Sequence, residues 1–208
     1  MSKALIELVK KNFPDAVVES HSQLGDDTLV LKPESWKAVC RFLKDNQQSD
    51  MSMLMDLTAV DFVEREPRFE VVAHLYSLNR GHRLRVKARV GDRDGETVEL
   101  ETLTDLWASA NWLERECFDM FGVKFIDHPD LRRILLYPEF EGHPLRKDYP
   151  AEKIQPLLQY RDVPNIEKVA PFGRDEGMSF GRQTHKHGIY VEEGEPQNRP
   201  KVITPADN

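Results

Sequence analysis

Cysteine is almost missing from this chain. Cys40 and Cys117 are the only two in 208 residues, both sit in apolar helical patterns, and neither belongs to a C-x-x-C pair. That excludes a disulfide scaffold and any all-cysteine zinc or iron–sulfur site. Long apolar runs are missing too, and none approaches the roughly 20 residues a spanning helix needs. The opening MSKALIELVKKNFPD is amphipathic with no small-residue cleavage site, so no secretory signal is expected. Basic charge is in deficit: 29 Lys and Arg face 36 Asp and Glu, for a net charge of -7. A nucleic-acid binder needs the opposite field, so nucleic acid is not an expected partner. There is no G-x-S-x-G, no phosphate loop and no G-x-G-x-x-G after a strand. Catalysis by this chain alone is not expected.

What remains fits one α+β domain. Leu5, Ile6, Leu8, Val9 and Phe13 recur at near-helical spacing behind a possible Ser2 cap. AVVES and TLVLK read as strands around a turn at Gly25-Asp26-Asp27. A second helix is expected from about Glu34 to Asn46, with Trp36, Val39, Cys40, Phe42 and Leu43 inward. MLMDLTAVDF reads as a buried strand carrying Asp56 and Asp61, and FEVVAHLYSL with HRLRVKARV as a hairpin. In its second arm Arg83, Arg85, Lys87 and Arg89 alternate with apolar residues, so four cations share one sheet face. They face either solvent or an acidic partner. From Asn111 to the cap glycine Gly122 the pattern is helical again. Leu113, Cys117, Met120 and Phe121 are expected to pack on the sheet, with Arg115, Glu116 and Asp119 on the opposite side.

The stretch HPDLRRILLYPEFEGHPLRKDYP, His128 to Pro150, has neither helical nor strand period. Its histidines His128 and His143 lie fifteen positions apart with aspartates nearby, a conceivable two-histidine, one-carboxylate metal site. Their spacing matches no helical zinc motif. Glu114 and Glu116 are adjacent but one, so on a helix they point to different faces and cannot flank one bond. Arg132, Arg133, Arg146, Lys147 and Asp148, set between prolines and Gly142, suit a rigid loop. It is clamped either against another protein or back on its own helix, through Glu116 or Asp119. Beyond Pro150 frequent Pro and Gly and scattered aromatics predict an extended tail.

ERECFDMFGVKFIDHPDLRRILLYPEFEGHPLRKDYP, Glu114 to Pro150, closely resembles the signature of the C subunit (30 kDa subunit) of proton-translocating NADH:quinone oxidoreductase, respiratory complex I. DLTAVDF, RVKARV and TDLW…ANWLERE resemble the same family in the same order. The sequence departs from the usual pattern at Cys117, where an aliphatic residue is common, and at Ala108, where proline is frequent. The order of elements predicts an α+β fold with a mixed, mainly antiparallel sheet of four to five strands and packed helices. The chain is expected to divide into a domain over 1–125, a loop over 126–150 and, where the composition changes, an extended tail over 151–208. The resemblance, which covers roughly residues 30 to 150, implies that loop and tail pack on a partner, and that this chain has no catalytic, cofactor or metal residue of its own. NADH, FMN, iron–sulfur clusters and quinone are expected on other subunits. The expected interface is Glu114, Glu116, Asp119, His128, Arg132, Arg133, His143, Arg146, Lys147 and Asp148. The expected neighbours are chiefly the D subunit, then the B and I subunits, on the cytoplasmic side of the membrane, with no homo-oligomer. A chain ending at residue 208 is expected to be the separate C subunit and not a C–D fusion. The alternatives are the equivalent subunit of a membrane-bound hydrogenase-type complex, or a stand-alone metal enzyme using His128 and His143.

Overall fold

In the computed structural model the described residues are 3–95 and 98–156. Ser2 and the tail from residue 157, with Leu157, Leu158, Tyr160, Phe172, Phe180 and Tyr190, lie outside them.

Helix α1, Lys3–Asn12, buries Leu5, Ile6 and Val9 along one stripe. Strands β1, Val17–Gln23, and β2, Asp26–Leu31, form a hairpin in which Gln23 opposes Asp26. The connection is therefore Leu24-Gly25, both left-handed with φ of 54° and 86°. Two left-handed residues match the twist of the flanking strands. The turn lies one residue earlier than the sequence predicts, so Asp26 and Asp27 belong to the strand. A 3-10 turn at Pro33–Ser35 leads into α2, Trp36–Asp45. Its Trp36, Val39, Cys40 and Leu43 are all completely buried, each worth about 1.5–3 kcal/mol in transfer terms.

Strands β3, Met53–Asp61, β4, Phe69–Tyr76, and β5, Arg83–Val90, complete a five-stranded sheet of order β1-β2-β5-β4-β3. Only the β2–β5 pair is parallel within it. Register places Leu29 beside Val86, Val86 beside Ala73, and Ala73 beside Leu57, one apolar row on the core face. On the other face the row of cations is answered from neighbouring strands. Lys87 pairs with Glu70 at 2.6 Å, Arg89 with Glu19 at 2.9 Å and Glu70 at 3.3 Å, and Arg85 with Asp26 at 3.5 Å. Burial would raise the Glu70 carboxyl, but Lys87 and Arg89 outweigh it and hold it below its ordinary value. Cross-strand ion pairs thus occupy Arg85, Lys87 and Arg89.

Two further strands, β6, Glu99–Glu101, and β7, Lys124–Ile126, form a parallel pair that flanks helix α3, Ala110–Phe121. Ser109 donates from its hydroxyl to Leu54 O at 3.2 Å, fixing the start of α3 against β3. Gly122, at φ 78°, ends it, its N–H donating to Phe118 O at 2.8 Å. Cys117, Met120 and Phe121 face the core, as their spacing predicts. The charged side is corrected at one position: Asp119 has no exposed surface, whereas Glu116 is exposed. Asp119 faces its own downstream loop, which covers this side of the helix.

Candidate functional site

Asp119 organises the first half of the loop. Its Oδ2 accepts backbone N–H groups from Ile134 at 3.1 Å, Leu135 at 2.8 Å and Leu136 at 2.9 Å. Its Oδ1 accepts from Arg133 Nη1 at 2.8 Å. Arg133 also donates to Phe140 O at 2.9 Å and Gly142 O at 3.0 Å, closing the loop on itself. One turn earlier on α3, Arg115 donates to the carbonyls of Arg132 and Arg133, each at 3.1 Å. Burial would raise the Asp119 carboxyl, but the Leu136 N–H, Arg133 and the N–H groups of Leu135 and Ile134 hold it below its ordinary value.

A second carboxylate fixes the far end. Asp61, the last residue of β3, receives a bidentate fork from Arg68, with Nε and Nη2 each at 2.8 Å. The third arm of that guanidinium reaches Asp148 at 2.9 Å, and the Lys147 N–H donates to Asp61 at 2.8 Å. Asp61 and Arg68 are buried, while the Asp148 side chain is 49% exposed. Arg146 donates to Phe121 O at 2.6 Å and lies 5.2 Å over the Phe69 ring. Burial would raise the Asp61 carboxyl, but Arg68 and the Lys147 N–H hold it down, and Asp61 in turn raises Arg68. The loop is stapled at both ends to its own sheet and helix.

Glu114 sits on the core side of α3, fully buried. It accepts from the Leu103 N–H at 2.7 Å and lies 2.5 Å from the Thr102 hydroxyl, satisfying the turn before the helix. Burial pushes its carboxyl up to about 7, against the pull of Thr102, the Leu103 N–H and Lys37, with Asp105 adding to the rise. The unfolded chain releases this proton near the ordinary 4.5, while the folded chain keeps it to about 7. Folding stability should therefore fall as pH rises across that window and level off above it, by about 3 kcal/mol in all. Glu114→Gln keeps the neutral shape and should flatten this decline. Urea unfolding of both proteins at a series of pH values measures it, and parallel curves would count against the assignment.

The two histidines do not converge. His128 Nδ1 accepts from the Asp130 N–H at 3.0 Å, so its proton is on Nε2, which donates to Asn111 O at 3.1 Å. His143 Nδ1 donates to Asp119 O at 3.0 Å. Their anchors are eight residues apart on one helix, about 12 Å along its axis. Among the described residues no group of three His, Cys, Asp or Glu side chains is placed to hold a metal ion. The two-histidine metal reading is corrected accordingly.

The family model for the 30 Kd subunit of respiratory-chain NADH dehydrogenase matches residues 29–155, from β2 through the stapled loop. The chain belongs to this family. It is 46% identical to the C subunit of the NADH-quinone oxidoreductase of Hyphomonas neptunium over 142 residues, 68% of each chain. It is 42% identical to the corresponding C subunit of Geotalea uraniireducens over 151 residues, 73% of this chain and 88% of the relative. Among solved structures it is similar to a chain of the membrane-bound sulfane sulfur reductase, an archaeal respiratory membrane complex. That similarity has a TM-score of 0.61 at 20% identity, over 95% of this chain and 97% of that one. At that identity the likeness is one of fold.

Within this 30 kDa-family chain, the residues singled out in the sequence separate into two sets. Glu114, Asp119, Arg133, His143 and Arg146 are turned into the chain's own contacts, and His128 is held by Asn111 and Asp130. Glu116 and Lys147 are exposed, the Arg132 side chain is 71% exposed beside Asp130, and Asp148 is shared between Arg68 and solvent. Sequence reading missed Arg68. The available signal was Asp61, an aspartate on the core face of a strand, which requires a cation nearby. Gly122 carries more than a helix end. A Cβ there would lie 2.5 Å from Arg146 Nη2 and 2.7 Å from the His143 ring, in a left-handed backbone. Gly122→Ala should cost about 1–2 kcal/mol from conformation alone and more from the displaced loop. Denaturant unfolding with limited proteolysis of the loop checks both.

Proposed function

We propose that this chain is a docking subunit of a proton-translocating NADH:quinone oxidoreductase, seated on the cytoplasmic side of the membrane against the quinone-site D subunit, with the B and I subunits as further neighbours. In this reading it supports electron transfer from NADH to quinone without carrying flavin, cluster, metal or quinone itself, and does not self-associate. The family match over sheet, helix and loop carries the reading. What supports a docking role is the way the loop uses its charge. The staples consume Asp119, Arg133, Asp61 and Arg68, and leave Trp112 69%, Leu135 63% and Leu145 51% exposed on or near that face. Exposed aromatic and aliphatic anchors on a rigid scaffold are what interface centres are made of. Glu116, Arg132 and Lys147 supply the polar rim. Among the described residues no helix is long and apolar enough to cross a membrane, so attachment through partners is the route to the membrane surface.

The experiment is complementation. A strain lacking this chain should lose quinone-linked NADH oxidation in its membranes, and wild type should restore it. Trp112→Ser with Leu135→Ser should fold normally yet restore little, since two desolvated anchors are worth several kcal/mol together, at about 2 each or more. Full restoration by that variant would move the interface elsewhere. A stoichiometric flavin or metal in the isolated chain would defeat the cofactor-free reading.

A further inference from the structure

The two edges of the five-stranded sheet are finished differently. At β3 the chain covers its own edge: the Ser109 hydroxyl donates to Leu54 O, the loop reaches Asp61 through the Lys147 N–H, and Leu54, Leu57 and Ala59 are buried. The opposite edge is β1. Gln23 and Asp26 flank its two-residue turn, and such a pair exchanges both main-chain hydrogen bonds. Alternation then turns the main chain of Glu19 and His21 toward β2, and that of Ser20 and Ser22 away from it. Among the described residues no group outside the hairpin bonds to the N–H or C=O of Ser20 or Ser22.

Such edges are commonly blunted by lysine, by proline or by a cover of other structure. The β1 sequence VVESHSQ has no lysine and no proline, and its one carboxylate, Glu19, is taken by Arg89. Val18 is 58% exposed, and Leu24, at the hairpin tip, is fully exposed. The edge therefore presents the N–H and C=O groups of Ser20 and Ser22 in a line, with an apolar residue near each end. Only an extended main chain repeats donors and acceptors at that spacing. A second copy is a poor occupant. The bulge between Val17 and Glu19 leaves a regular edge of five residues, Glu19 to Gln23, about 17 Å long. A stable dimer needs about 1,200–2,000 Å² of buried surface, far more than two such edges cover. A segment of a subunit already held beside this chain needs no such area, because its local concentration is high.

We propose that the free edge of β1 receives an extended segment of a neighbouring subunit, about five to seven residues long, which becomes a further strand of the sheet. Its main chain bonds to that of Ser20 and Ser22, and its ends carry apolar residues against Val18 and Leu24. The middle of the segment is polar and uncharged, to match Ser20, His21 and Ser22, and no proline stands where an N–H must meet β1. The inference rests on the reading that the chain works inside an assembly. It adds a second docking point at the sheet edge opposite β3, where the signature loop is stapled.

The test is residue-resolved hydrogen exchange of the full-length chain, alone and in the assembly recovered through an affinity tag. The amides of Ser20 and Ser22 should exchange rapidly in the isolated chain and slow by at least about a hundredfold in the assembly, while that of His21 stays slow in both. Ser20→Pro removes an outward donor and no bond to β2, so the isolated variant should keep its Tm within about 2 °C. Expressed in place of the wild type, it should recover partner subunits at least about fivefold less well, and Leu24→Ser should show a smaller loss. Rapid exchange of both serine amides in the assembly would overturn the proposal, and so would full recovery of partners by a folded Ser20→Pro. Slow exchange in the isolated monomer would show that the chain covers its own edge, and protection that appears on concentrating the isolated chain would make the occupant a second copy. Either result would overturn the proposal while leaving the docking-subunit reading in place. Failure of the wild type itself to recover partner subunits would sink that reading and the proposal with it.

Discussion

Asp119→Ala is expected to lower the stability of the isolated chain by about 3–5 kcal/mol, because it breaks a buried charge pair and leaves the partners uncompensated. At about 2–4 °C per kcal/mol for a chain of this size, the melting temperature should drop by about 10 °C. The reason is geometrical. One buried carboxylate accepts three successive backbone N–H groups and the Arg133 guanidinium, and Arg133 in turn holds Phe140 O and Gly142 O. Removing it unties residues 132–142 from α3 in one step. Asp119→Asn retains an acceptor but loses the charge, so about half of the effect should remain. Limited proteolysis should cut Asp119→Ala between Arg132 and Gly142 well below its melting point. Normal protection there would show that Arg115 and the loop's own packing hold the segment without the carboxylate.

Arg68→Ala is expected to cost a similar amount, about 3–5 kcal/mol, by stranding Asp61 in the protein interior. The two sites should part company in the double variants. Asp61 takes both of its strongest bonds from one side chain, so Asp61→Leu with Arg68→Met removes the charges together and should recover most of the loss. No such rescue exists for Asp119, whose principal donors are main-chain groups that remain whatever residue replaces it. Asp148, half exposed, adds at most about 1 kcal/mol to its pair. Acid should weaken both staples. Asp61 and Asp119 ionise below their ordinary 3.8 in the folded chain, so their contribution is complete above that value and is lost as pH falls below it. An unfolding series on the four variants decides the matter. Failure of the Asp61→Leu, Arg68→Met pair to recover would place the cost in the Lys147 N–H and Asp148 contacts instead.

Local pattern carried the elements whose causes are local. The period of Trp36, Val39, Cys40 and Leu43 marks α2, and the alternation from Arg83 to Val90 marks β5 with its two faces. Gly122 marks the end of α3. The three-residue strands β6 and β7 are too short to show a period and went unread. The adjacency of β2 and β5, parallel and far apart in sequence, leaves no local trace either. The loop is the instructive case. Its prolines and arginines identify a rigid charged segment, but the partner of each charge is set by the tertiary fold. Arg133 could have met a neighbouring protein as readily as Asp119 by composition alone. Helical spacing also assigned Asp119 to an outward side, because a helix face covered by its own downstream loop reads like one covered by water.

Docking within an NADH:quinone oxidoreductase is tested by what this chain brings with it from the membrane. The most direct measurement is recovery of the tagged full-length chain from detergent-solubilised membranes, with identification of everything that elutes and assay of quinone-linked NADH oxidation. A docking subunit should elute in fixed stoichiometry with flavin- and iron–sulfur-carrying subunits, with activity in the same fraction. Recovery of the chain alone, with no co-eluting subunits and no such activity in its fraction, would contradict it.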